Sequence, residues 1–239
     1  MEVHHHSHAH GKKKWTDYLW EFLMLFLAVF CGFLAEYQLE HTIEKDRAKQ
    51  YMQSFYDDLR KDTGRFTFII KSYEDKARVF KSRKECFNNI IKGTGYDSCL
   101  TELFLYSETF EDLVFTDGTM QQLKNAGGLR LLKKEEADSI MVYDNLLRNY
   151  IKAETSGFQD RQNKLRDIVN SIMNYKMYAD NSFFKSPALY KKDMDKVNNY
   201  FVMLEHYTNA AKWYEEHIKE IKQKAIGLIN YLKEEYQLE

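Results

Sequence analysis

The chain is poor in the residues that interrupt helices. It has one proline, Pro187, and ten glycines in 239 positions. β folds need turn residues far more often than that, so the scarcity predicts long uninterrupted helices. Charge of one sign is also missing: 35 Lys and Arg stand against 36 Asp and Glu, a formal net charge of −1. Three of the basic residues (Lys12, Lys13, Lys14) and three of the acidic ones (Glu2, Asp17, Glu21) precede position 36, leaving 32 against 33 beyond it. That balance argues against a nucleic-acid surface. No P-loop, GxGxxG, HExxH or GxSxG occurs, and the chain reads as a non-enzyme with no catalytic or cofactor-binding residue.

What is present begins with one long apolar run. Mean hydropathy is −0.61, yet Tyr18 to Ala35 reads YLWEFLMLFLAVFCGFLA. At 1.5 Å per residue this makes a helix of roughly 27 Å, close to the ~30 Å hydrocarbon core of a bilayer. Trp15, Tyr18 and Trp20 on one side and Tyr37 on the other suit the two interfaces. Lys12 to Lys14 precede the run and Glu36, Glu40 and Glu44 follow it, which predicts a cytoplasmic N-terminus. Phe33, two residues before Ala35, speaks against signal-peptide cleavage, and Phe30 speaks against lipoprotein processing at Cys31. The expected division is a His/Lys-rich cytoplasmic tail over 1–17, a transmembrane helix over 18–35 and an extramembrane, periplasmic helical bundle over 36–239. Glu21, one turn inside the run, is expected to snorkel towards the interface. Cys31, Gly32 and Ala35 form a small-residue patch compatible with a homo-oligomer.

Helical periodicity continues beyond the anchor. Val197, Phe201, Leu204, Thr208, Ala211, Tyr214, Ile218, Ile221, Ala225, Leu228 and Leu232 follow at steps of three or four, as in a coiled coil. So do Ile140, Tyr143, Leu147, Tyr150, Glu154, Phe158, Arg161, Leu165, Ile168, Ile172 and Tyr175. The first helix is expected to continue from the anchor through Ile43, Met52, Phe55, Leu59, Phe66, Ile69, Tyr73 and Phe80. Breaks are expected at Lys92–Ser98, Asn125–Gly128 and Asp180–Pro187, with a shorter helix from Leu100 to Phe115 followed by a brief helical turn. The predicted fold is all-α: one N-terminal transmembrane helix, then an elongated antiparallel bundle of three long and one or two short helices, each long one of about 50 residues and ~75 Å. Its aromatic stripes read as core.

Few residues carry pointed chemistry. His4, His5, His6, His8 and His10 cluster in the tail, where neutral imidazoles can chelate zinc, nickel or copper. Cys86 and Cys99 flank the KGTG turn and can form a disulfide in an oxidising periplasm, stabilising by about 3 kcal/mol; two buried free thiols are the alternative. His41 with Glu44 and His217 with Glu220 share a helix face at i, i+3, a spacing that usually marks a solvated face rather than a metal site.

The opening MEVHHHSHAHGKKKW, continued by WEFLMLFLAVFCGFLAEYQLEHTIEKDR, resembles the start of a family of uncharacterised single-pass inner-membrane proteins from Bacteroidetes-type bacteria. The matching positions are His4 to His6, His8, Trp15, Tyr18, Glu21, Phe22, Met24 to Phe30, Gly32, Phe33, Ala35 and Glu36. Thr109 to Lys134 is similar to a family stretch Y-x-x-L-x-S-S-G-x-L-x-x-I, with Thr116 and Asp117 in place of the two serines. The resemblance implies an inner-membrane location and a native tail, and supplies no activity, substrate or catalytic residue. With only about 17 residues facing the cytoplasm, any output must pass through a partner. The leading expectation is a structural or adaptor protein whose bundle contacts an envelope protein. A periplasmic ligand sensor, or metal binding through the tail, is the alternative.

Overall fold

The computed structural model describes residues 14–109, 111, 113–179 and 183–238. Among them the fold is all-α, and the sole β feature is an isolated antiparallel bridge between Met173 and Leu189. The chain falls into two compact units, one ending at Gln50 and the other starting at Tyr51. Helix α1 (Trp15–Phe80) supplies the described part of the first and opens the second.

In the first unit, Tyr18 to Ala35 contains only one β-branched residue, Val29, so its leucines, phenylalanines and alanines meet little conformational resistance to helix. Their side chains find no cover: Phe22 is 67% exposed and Leu25 70%. The most apolar 18-residue window has a mean hydropathy of 2.0 with none of it buried. This helix is long and apolar enough to cross a membrane.

The second unit packs three helical rods around one core. They are the later part of α1, the pair α5 (Lys134–Ala153) and α6 (Gln159–Ile172), and α8 (Met194–Tyr236). Ring pairs give their directions. Phe55 meets Tyr143 and Tyr73 meets Phe158, with centroids 6.3 and 5.9 Å apart, so α1 and α5–α6 run the same way. Phe80 meets Tyr207 at 5.9 Å and Tyr150 meets Tyr214 at 5.6 Å, so α8 runs antiparallel to both. The parallel pair needs a return between α1 and α5. It is made by α2 (Arg83–Lys92), α3 (Asp97–Glu108), an extended strap, α4 (Gly118–Asn125) and a 3-10 turn at Gly128–Leu131. A short α7 (Lys176–Ala179) lies in the connection from α6 to α8.

The structure revises several expected boundaries. α1 stops at Phe80 instead of reaching the KGTG turn, because side chains take its last carbonyls. Ser82 Oγ donates to Val79 O at 2.8 Å, and Arg83 Nη1 donates to Phe80 O at 2.8 Å. Gly93, at φ 76°, then closes α2, with Thr94 N donating to Asn89 O at 3.1 Å; left-handed backbone at a helix end favours glycine.

The helix expected from Leu100 to Phe115 ends at Glu108. From there the strap runs back along α1. Lys76 Nζ donates to Thr109 O at 2.6 Å, Arg65 Nη1 to Val114 O at 3.3 Å, and Thr116 N to Asp62 Oδ1 at 3.0 Å. Side chains on α1 thus satisfy backbone groups that a helix would have paired internally.

The second rod begins at Lys134, after the 3-10 turn, and ends at Ile172 rather than near Asp180. It is interrupted by a π turn at Glu154–Phe158.

Candidate functional site

Between α5 and α8 the second unit carries an open groove of about 530 Å³. Tyr143 and Leu228 form its floor and are buried, while Val142 and Tyr231 line it at 51% and 39% exposure. Gly227 faces the space: a Cβ built there meets nothing within 4 Å. Positions 135, 138, 139 and 142 on α5 and 223, 227 and 231 on α8 recur at three or four residues, so each wall is one ridge of a helix.

The Tyr231 wall is fixed from behind by a buried carboxylate. Its Oη donates to Glu136 Oε1 at 2.8 Å, while Glu136 Oε2 accepts from Tyr236 Oη at 3.1 Å and from the Lys133 backbone N at 3.0 Å. Three donors satisfy a carboxylate that would otherwise be costly to bury. Burial, and then the Glu136 carboxylate, hold both phenols above the usual tyrosine range. On the rim, Glu135 and Asp138 stand on α5 and Lys224 on α8. The groove thus combines a largely apolar floor, an aromatic wall and a charged rim.

A second polar system fastens the return segment. Asp62 is buried and accepts Thr116 N at 3.0 and 3.2 Å and Thr116 Oγ1 at 3.0 Å. Burial raises its carboxyl above 3.8, and the Thr116 hydrogen bonds partly offset that. Arg148 bridges Asp144 at 2.9 Å and Asp117 at 2.5 Å, and Lys124 also pairs with Asp144. Thr116 and Asp117 thus hold the strap and the start of α4 to α1 and α5. Their role is architectural.

The structure brings Cys86 and Cys99 together as a bonded pair with Cα atoms 5.9 Å apart, joining α2 to α3. His4, His5, His6, His8 and His10 lie outside the described residues. His41 and Glu44 lie on α1 in the first unit, and His217 and Glu220 on α8 in the second. His217 Nδ1 donates to Trp213 O at 2.8 Å, with its ring over the indole at 3.7 Å. Among the described residues, no group of three or more His, Cys, Asp or Glu is placed to hold a metal ion.

The sequence stripes include the floor residues Tyr143 and Leu228, but the walls of the groove were not singled out. Their signals are an apolar Val142 and Tyr231 lying off the buried stripes, and a solitary glycine, Gly227, inside a 43-residue helix. No family model, curated protein or solved structure matches the chain.

Proposed function

We propose that this is a membrane-anchored structural or adaptor protein of the bacterial inner membrane, whose periplasmic bundle binds an envelope protein through the α5–α8 groove. The observation that carries the reading is the apolar stretch of α1, long enough to span a bilayer and with none of its most apolar window buried among the described residues. The groove supports the adaptor role. Its occupant is a partner helix with an apolar ridge over Gly227, basic residues towards Glu135 and Asp138, and a carboxylate towards Lys224.

The test places a photo-crosslinking residue at Val142 in cells and compares the wild-type background with Gly227→Leu. The substitution fills open space on the groove wall and raises helix propensity by about 0.8 kcal/mol, so unfolding is not its expected effect. A discrete crosslinked protein in the carbonate-resistant membrane fraction, reduced about tenfold or more by Gly227→Leu, is the expected result. A chain that washes off membranes, or crosslinks indifferent to Gly227→Leu, overturns the reading.

A further inference from the structure

The connection from α6 to α8 carries an arrangement that the groove does not use. Three times within it a ring is followed directly by a lysine: Tyr175–Lys176, Phe184–Lys185 and Tyr190–Lys191. The rings are 76%, 58% and 81% exposed, in a unit that buries Tyr200 and Tyr207 completely. All three lysines are exposed as well.

This is not a loose segment that lacks a core. Met177 and Ala188 are fully buried, and Phe183 packs against the core beside the outward Phe184. Asn174 N donates to Ala188 O at 2.9 Å, Tyr190 N to Ile172 O at 3.0 Å, and Ala188 N to Asp97 Oδ1 at 2.8 Å. The Met173–Leu189 bridge therefore holds Tyr175 and Tyr190 on a pinned backbone, one on either side of it. Phe184 adopts φ 70°, a left-handed conformation that costs a residue with a side chain. Packing within the chain returns little for that cost.

A fourth apolar–lysine pair adjoins them. Ile91, 59% exposed, precedes Lys92 at the end of α2, and Lys192 Nζ ties that end to the connection by donating to Ile90 O at 2.8 Å. Asp97 and Asp193 stand nearby, each accepting a backbone amide, from Ala188 and Lys196, and with the exposed Asp195 they offset part of the lysine charge.

We propose that this end of the second unit docks on the surface of an anionic lipid bilayer. Rings placed singly, each with its own lysine, match a headgroup layer: the ring lies at the acyl boundary and the ammonium reaches a lipid phosphate. A protein pocket would instead call for clustered rings forming one anchor. The chain already shows the same adjacency at Lys14–Trp15, where its apolar helix begins.

The test uses the full chain in phosphatidylcholine nanodiscs, so that the anchor is already satisfied, mixed with vesicles of phosphatidylcholine alone or with added phosphatidylglycerol. Loaded nanodiscs should sediment with the anionic vesicles and not with the neutral ones. Lys176→Gln/Lys185→Gln/Lys191→Gln should lower that partition on the order of a hundredfold. Tyr175→Ser/Phe184→Ser/Tyr190→Ser should lower it about tenfold or more. Phe184→Trp adds a readout independent of those variants: its emission should shift to the blue on anionic vesicles. No preference for anionic vesicles, full binding by the triple-serine variant, or an unshifted emission from Phe184→Trp would overturn the proposal.

Discussion

Tyr214 Oη on α8 donates to the carbonyl oxygen of Ala153, 2.7 Å away, at the point where α5 gives way to the π turn. A π turn pairs amides one carbonyl further back than an α-helix does, as Gln159 N with Glu154 O shows here. The carbonyl of Ala153, at the head of the widened turn, takes a side-chain donor from α8. The same tyrosine ring packs on Tyr150 and on Phe158, with centroids 5.6 and 4.8 Å away. The irregular turn is therefore held by a neighbouring helix as well as by its own Thr155 and Ser156, whose hydroxyls donate to Ile151 O and Lys152 O.

Tyr214→Phe keeps those ring contacts and removes the donor. With the bond from α8 to the Ala153 carbonyl gone, the second unit should lose about 1 kcal/mol. Urea unfolding followed by circular dichroism reads this directly. An unchanged midpoint would mean that the π turn does not depend on α8.

The π turn also explains where reading the sequence succeeded and where it slipped. On α8 the expected stripe matches the buried one at Val197, Leu204, Ala211, Tyr214, Ile218, Ile221, Ala225, Leu228 and Leu232. It missed Tyr200 and Tyr207, choosing Phe201 and Thr208 one position on; at 200 the neighbouring phenylalanine is the more apolar choice, and Thr208 simply continues the count from there. On the second rod the stripe held as far as Phe158. Beyond it Leu165 and Ile172 are buried as expected, but Gln162 and Val169 are buried in place of Arg161 and Ile168. Past the widened turn the buried step from Phe158 is four residues rather than three, and ETSGF does not announce that in a count of threes and fours. The anchor was legible because apolar length alone decides it. The strap was not, because its conformation is set by Lys76, Arg65 and Asp62, residues 33 to 54 positions away in the chain.

The Cys86–Cys99 bond closes a loop with a sequence separation of 13. Loop-closure entropy alone assigns it about 3 kcal/mol, so the reduced protein, or Cys86→Ala/Cys99→Ala, should unfold at correspondingly lower urea. The same pair reports topology. In intact cells, a membrane-impermeant thiol reagent should label the two only after reduction if the second unit is periplasmic. Labelling that instead requires lysis, and proceeds without a reductant, would place the unit in the cytoplasm and its partners with it.

Lys76 gives the second unit an alkaline signature. Its side chain is 2% exposed and donates to Thr109 O at 2.6 Å. Burial lowers its pKa from 10.5 to about 8, against a partial pull upward from the Glu111 carboxylate. Between those two values the unfolded chain holds a proton that the folded chain has released, so stability rises with pH across that window. The buried Tyr73, Tyr150 and Tyr207 act in the opposite sense, because their raised pKa values cost stability once unfolded tyrosines ionise near pH 10. The clean interval is therefore roughly pH 8 to 9.5, over which Lys76 should add about 1.5 kcal/mol. Lys76→Met is the matched control. It keeps the unbranched stem, and Thr109 O retains a donor in Gln162 Nε2 at 3.1 Å, so no carbonyl is orphaned. Urea unfolding at the two pH values should show the gain in the wild type and its absence in the methionine variant. Parallel pH curves would mean that the ammonium stays charged inside the fold, held by Thr109 O and Glu111 against its burial.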